Sequence, residues 1–321
     1  MRSAWPKRTT FQAAKNMRSI SIAQPRSLPF AIVAFAVVTA VFAKILVIIF
    51  PRLLVTATEP IRSHRWIMDS ARCNITRISY EKLLDLYGPS GLPPLHDEPV
   101  IIYEDTGLAD DRSTRRRAFR DATSRANIER AFPENFEVML TSSNAYSERR
   151  KKMTLAEYIE SHVVSKTVTP GSMSNETWYL FGETHSDDWK ALLKHYVLPP
   201  CKTCDVEGGT ALSFGVGGIG SGVQWHVHGP GFSESIHGRK HWTLYPADWE
   251  VPGFHKDESS RSWMETVYMS MIAGARLDEL PWECTVKEGE MIYFPHMWSH
   301  AIINLDPYTV FVSSFTTEHG F

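Results

Sequence analysis

The sequence predicts an α+β chain: a double-stranded β-helix, the jelly-roll arrangement of two packed sheets, with flanking helices and one transmembrane helix before it. Three observations predict this. From Thr210 onward, short β-branched and aromatic runs alternate with Gly and Pro turns, the pattern of a double-sheet barrel. From Ala71 to about Pro200, helical spacing mixes with a few strands. Ahead of both, residues 30–50 are an apolar run of bilayer length behind a basic segment.

Residues 1–29 read as a basic cytoplasmic tail, with Arg2, Lys7, Arg8, Lys15, Arg18 and Arg26 and no acid. Residues 30–50 read as a transmembrane signal anchor, in which Lys44 can snorkel to the interface. Basic residues before the span favour a cytoplasmic N-terminus. A cleaved signal peptide is the second reading, because Val55-Thr56-Ala57 has small residues at the spacing of a cleavage site; the long basic segment favours the anchor. With the anchor, the chain is a single-pass type II protein of the endoplasmic reticulum or secretory-pathway membrane, its C-terminal domain lumenal. Residues 51–70 are the tether.

Residues 71–209 form the mixed, helix-rich part of the module. Tyr80 to Tyr87 has helical spacing and stops at Gly88-Pro89. Pro99 to Tyr103 reads as a buried strand. Asp110 to Phe132 is a charged amphipathic helix or pair of helices ended by Pro133, and Phe136 to Leu140 a strand. Thr154-Leu-Ala-Glu157 is a capping box opening a helix through His162. Asn175 to Phe181 is strand-like, and Asp187-Asp188-Trp189 opens a helix with acids in its first turn, where the dipole favours them. Residues 210–321 hold eight candidate strands: Ala211 to Val216, Gly222 to His228, Ser233 to His237, Lys240 to Leu244, Cys284 to Val286, Glu290 to Tyr293, His300 to Leu305 and Thr309 to Phe315. Ser259 to Ala273 reads as a helix between them.

The 321 residues suit one or two domains, and 43% apolar residues can fill a sizeable core. Charge is nearly balanced, 34 Lys and Arg against 36 Asp and Glu, which excludes a nucleic-acid partner held by a basic face. The expected partners are the membrane, through residues 30–50, and a lumenal protein substrate or client. Asn74-Ile75-Thr76 and Asn175-Glu176-Thr177 make Asn74 and Asn175 glycosylation acceptors. The four cysteines, Cys73, Cys201, Cys204 and Cys284, allow three pairings. For Cys201-Lys-Thr-Cys204 a small disulfide-closed loop stands beside a redox pair or half of a zinc site; no second C-x-x-C exists to complete the last.

The chemistry-bearing stretch is Gly215 to Trp242. In His226-Val227-His228 a period of two sends both imidazoles to one face. By the same period Lys240, Trp242 and Leu244 share a face, so a cation points where bulky residues point. An inward ammonium needs an anion, and a bound carboxylate would be one. Downstream, a turn and an apolar strand lead through a Pro loop to His300, which completes a three-ligand face with His226 and His228.

These motifs, His226-x-His228, Gly238-Arg239-Lys240, Gly289-Glu290 to Pro295, and Trp298-Ser299-His300 to Asn304-Leu305, resemble those of the JmjC oxygenases, which have a cupin barrel. Within them the blocks Trp225 to Glu234, Gly238 to Pro246 and Glu283-Cys284-Thr285 resemble the JmjC domain-containing protein 8 family of the endoplasmic-reticulum lumen. The resemblance implies Fe(II) held by His226 and His300, 2-oxoglutarate held through its far carboxylate by Lys240, and Asn304 near the iron or cosubstrate. It also implies a Cys73–Cys284 disulfide. At the second ligand position the family pattern has Asp or Glu, whereas this chain has His228. Three imidazoles can hold iron, zinc or copper, and losing the anion shifts preference towards zinc. Glu234 is a further carboxylate in the following loop. Two functions follow: an Fe(II)- and 2-oxoglutarate-dependent protein hydroxylase, or a catalytically silent JmjC-fold binding or regulatory protein.

Overall fold

Twelve strands among the described residues form two sheets, and the space between them positions everything of chemical interest. The structure is a computed structural model, describing residues 72–93, 96–104, 111–165, 177–182, 186–201, 204 and 210–316. The tail, anchor and tether segments and Asn175 lie outside these. No helix among the described residues is long and apolar enough to cross a membrane.

In chain order the strands are β1 (Thr76–Ser79), β2 (Val100–Tyr103), β3 (Glu137–Ser142), β4 (Arg150–Thr154), β5 (Trp178–Phe181) and β6 (Thr210–Gly217). They continue with β7 (Gly231–His237), β8 (Lys240–Tyr245), β9 (Trp282–Val286), β10 (Met291–Phe294), β11 (Ser299–Asn304) and β12 (Thr309–Thr316). The larger sheet runs β1-β2-β10-β7-β12-β6-β5-β3-β4, and the smaller runs β11-β8-β9. All neighbours are antiparallel except β1 and β2. The strands before residue 209 therefore extend the same sheet as those after 210, which the division of the sequence at that point does not suggest.

Helices flank the sheets, and four of them are begun by a side chain that satisfies an orphan amide. Ser79 caps α1 (Tyr80–Tyr87) by accepting from the Lys82 amide. α2 (Asp111–Ala122) is followed by a 3₁₀ turn (Ile128–Ala131), so the long charged stretch is a pair rather than one helix. Thr154 and Glu157 form a reciprocal capping box on α3 (Leu155–Tyr158), which runs on as a π-helical stretch (Ile159–Val164). Ser186 caps α4 (Asp187–Leu193). Ser259 caps α5 (Ser260–Trp263), and a π-helical stretch (Met264–Tyr268) joins it to α6 (Met269–Ala273).

One expected strand is not regular. Gly222 to His228 lies along β11, with Asn304 N–H donating to Ser221 O (2.7 Å), Ile302 N–H to Val223 O (3.0 Å) and His300 N–H to His226 O (3.0 Å). From Ile302 to His300 is two residues, but from Val223 to His226 is three. The extra residue is a bulge, which breaks the ladder and re-aims the chain. Val223 and His226, which a regular strand would put on opposite faces, both line the cavity between the sheets.

The close approach here demands glycine. A Cβ on Gly222 would stand 1.9 Å from Ile302 O, a backbone atom fixed in β11. Gly222→Ala should therefore cost about 3 kcal/mol, seen as a lower denaturation midpoint at unchanged slope.

Candidate metal centre

His226 and His228 sit on the bulged run and His300 on β11. One ring nitrogen from each lies within 4.8 Å of the others. The Nδ1 atoms point away: that of His226 is 2.6 Å from Gln224 O, that of His228 2.6 Å from Gly229 O and that of His300 2.9 Å from Trp298 O. A carbonyl can only accept, so each Nδ1 carries the proton. Each Nε2 of a neutral ring is then a bare lone pair turned to the shared centre, the tautomer a metal requires. The carbonyl partners fix the rings before any ion arrives.

Electrostatics favours the same state. Burial pushes the His226 imidazole down to about 4, with the neighbouring His228 adding to it. Burial also lowers His228, and lowers His300 strongly, with His226 and His228 contributing to the latter. In the unfolded chain these rings protonate near 6.5. Between that value and about 4 the unfolded chain therefore takes up the proton that folded His226 refuses, and stability falls as pH falls. For His226 this amounts to on the order of 2–3 kcal/mol, expected as a falling melting temperature of the chelator-treated chain between pH 7 and 4 that His226→Asn reduces.

Lys240 and Asn304 face each other across β8 and β11. Lys240 is 2% exposed, and its Nζ donates to Asn304 Oδ1 (3.1 Å) and Tyr179 Oη (3.0 Å) over the Phe311 ring, 3.5 Å from its centroid. Burial drives its pKa well below the usual lysine value. Among the described residues no carboxylate pairs with it. The Asn304 amide also donates to Ser221 Oγ at 3.0 Å, which fixes its orientation. Lys240 and the three histidines line one cavity, walled by Trp242, Phe294, Phe311 and Phe315.

The donor set fits a divalent metal: three preorganised neutral imidazoles on an aromatic-walled cavity, with a lysine amine beside them that an acidic ligand would keep charged. The cavity supplies no carboxylate of its own. Glu234 faces the opposite side of β7, where it meets Arg116 of α2 at 3.3 Å.

The Cupin-like domain family matches residues 111–318 of the chain. JmjC domain-containing protein 8 of Mus musculus is 37% identical over 252 residues, covering 78% of this chain and 84% of the relative. Its Homo sapiens counterpart is 34% identical over 252 residues, 78% of this chain and 86% of the relative. The chain belongs to the JmjC domain-containing protein 8 family. Among solved structures, Escherichia coli ribosomal oxygenase YcfD overlaps with a TM-score of 0.35 at 13% identity, covering 68% of this chain and 48% of that one.

Several residues of this JmjC domain-containing protein 8 family member's cavity carry no mark in the sequence. Tyr179 comes from β5, Phe311 from β12, and the hydroxyls of Ser233 and Ser313 from β7 and β12. Trp242 does carry one, since the period from Lys240 reaches it. Trp225 walls a different cluster, packing on Trp263 (4.8 Å) and Tyr245 (5.4 Å), because the bulge turns it away. His237 and His241 serve the fold. His237 bonds Arg120 O (2.8 Å), and His241 bonds the fully buried Glu283 (3.2 Å).

The cysteines pair as Cys73–Cys284 and Cys201–Cys204. Residues 72–74 strap onto β9: Arg72 meets Glu283 at 2.7 Å, and Asn74 accepts from the Glu283 amide (2.7 Å) while donating to Pro281 O (3.3 Å). The acceptor nitrogen of this glycosylation motif is thus tied into the strap on an otherwise exposed side chain.

Proposed function

We propose that this chain is an Fe(II)- and 2-oxoglutarate-dependent protein hydroxylase facing the secretory lumen, held in the membrane by residues 30–50. The observation that carries the proposal is the buried Lys240 amine without a carboxylate partner, set in the cavity onto which three Nε2 lone pairs converge. Family membership supports the chemistry, and two disulfides support an oxidising compartment.

His226, His228 and His300 hold the metal, each oriented by its backbone carbonyl. Lys240, steadied by Tyr179 and Asn304, takes the far carboxylate of the keto acid. Iron with the bound keto acid supplies oxidation of a C–H bond by dioxygen coupled to decarboxylation. The aromatic walls exclude water, which strengthens each charge contact inside. Val227, between two of the histidines in the chain, and Met297, whose N–H donates to His228 O at 3.0 Å, are exposed and offer apolar surface to a protein substrate.

His228 favours a second reading, a silent binding or regulatory protein on the same frame. An imidazole there leaves out the electron donation of a carboxylate and suits zinc, which has no redox chemistry. Anaerobic titration with Fe(II) and then 2-oxoglutarate separates the two. A visible charge-transfer band that disappears in His226→Ala and in Lys240→Ala is the expected result. A chain that isolates with zinc and develops no band is the silent protein.

A further inference from the structure

The cavity that holds Lys240 is closed as it stands, and one side chain closes it. Its free space amounts to about 30 Å³. A water needs on the order of 10–15 Å³ on this measure, so there is room for roughly two waters and not for a five-carbon diacid. A wall therefore moves when such an acid binds.

Lys240 shows which wall. An amine nitrogen carries at most three protons. Two of its directions end on Tyr179 Oη (3.0 Å) and Asn304 Oδ1 (3.1 Å), and the Phe311 ring lies across a third, its centroid 3.5 Å from Nζ. Both oxygens are held in place: Tyr179 is 1% exposed, and the Asn304 amide is fixed by Ser221 Oγ at 3.0 Å. A carboxylate that reaches the nitrogen and spares these two contacts has to take the place of the ring. The ring is seated so that it can leave. On β12 Phe311 stands opposite Gly215 of β6, where a Cβ would lie 2.0 Å from the ring's Cζ. Glycine thus leaves a flat floor beneath the ring. A ring over a sheet glycine is ordinary packing; the amine on its other face gives this one a second role. Tyr179 (5.7 Å) and Phe181 (5.5 Å) stack beside it, and Phe181 is half-buried, so that flank is the open one. Trp242 and Phe294, by contrast, stack on each other at 5.5 Å within a packed core cluster.

On the reading of Lys240 as the anchor of the far carboxylate, we infer that Phe311 is a specificity gate: its ring covers the amine until an acid with a second carboxylate displaces it. A charge-assisted hydrogen bond from the ammonium to that carboxylate outcompetes the face of the ring. A 2-oxo acid without a far carboxylate gains nothing at Lys240 and leaves the ring where it is.

The test uses the full chain loaded with zinc, which binds acids without turnover. It compares 2-oxoglutarate with pyruvate by stopped-flow tryptophan fluorescence, Trp242 being a wall of the cavity. In the wild type the observed rate with 2-oxoglutarate levels off as its concentration rises, because ring displacement becomes limiting, whereas the rate with pyruvate stays linear. Phe311→Ala removes the plateau and raises the association rate of 2-oxoglutarate, relative to that of pyruvate, by about tenfold or more. Phe311→Val, which suits a strand and has no ring, is the second variant should the first not fold. An equal change for both acids marks a cavity that is merely loosened and overturns the inference, as does a plateau that persists without the ring. Failure of the reading beneath it looks different. A zinc-loaded chain that binds neither acid overturns the metal site, and 2-oxoglutarate bound no more tightly than pyruvate, with or without the ring, overturns Lys240 as the anchor; the gate falls with either.

Discussion

His300→Ala abolishes stoichiometric metal binding while leaving the fold in place. His300 is 1% exposed, and its ring is the most deeply buried of the three. Removing a partner that merely orients a ligand costs roughly 10–100-fold in affinity, so removing the ligand itself costs more, at least 100-fold. Collapse of the surrounding structure is not expected, because β11 is held to the bulged run by backbone bonds. His226 N–H donates to His300 O and His300 N–H to His226 O, both at 3.0 Å, and neither needs the imidazole. The ring's absence leaves the Trp298 carbonyl without its 2.9 Å donor, a loss of about 1 kcal/mol. Metal content per chain after dialysis, measured beside a melting curve, checks both halves. A variant that melts like wild type yet still holds a full equivalent of metal would refute the three-imidazole centre.

Cys73→Ser lowers the melting temperature by on the order of 10 °C, and Cys201→Ser does so far less. A cross-link acts chiefly by restricting the unfolded chain, and the restriction grows with the logarithm of the loop it closes. Cys73–Cys284 spans 211 residues and Cys201–Cys204 spans 3, so the entropic contributions differ by about 4 kcal/mol. The overall loss for the long loop is expected at about 2–5 kcal/mol. It has an electrostatic companion, since Glu283 is fully buried and its Arg72 partner arrives on the same strap. If the strap frays, the buried carboxylate keeps, among the described residues, Tyr268 (2.8 Å) and His241 (3.2 Å). Calorimetry of both variants, with and without reductant, checks the ordering, and equal losses would sink the loop-length account.

The reach of the sequence here follows from how local each signal is. His226, His228 and Lys240 are legible because their partners lie two residues away, where strand period alone decides the face. His300 is legible through its loop, and the Thr154 cap because a capping box is contained in four residues. Tyr179 and Phe311 are not. They meet Lys240 only because β5, β6 and β12 are neighbours in the larger sheet, and no short-range pattern records that pairing. β4 is unmarked in the sequence because Arg150, Lys151 and Lys152 bring neither the β-branched nor the aromatic side chains that signal a strand. Its extended form comes from the ladder with β3, a tertiary cause that overrides propensity. The bulge between Val223 and His226 is equally invisible, since a strand with one residue too many has the same composition as a strand.

The order of strands in the larger sheet also bears on how the protein is made. β12, the last strand among the described residues, lies between β7 and β6. Until residues 309–316 have left the ribosome, those two strands have each other neither as neighbours nor as a bridge, and each exposes an open edge. The sheet therefore closes from its middle only once residues 309–316 are made, by contacts of long sequence separation, which are slow to form and open to mispairing. For this sheet the hazardous interval is the wait for β12, when a chaperone that masks strand edges would matter most.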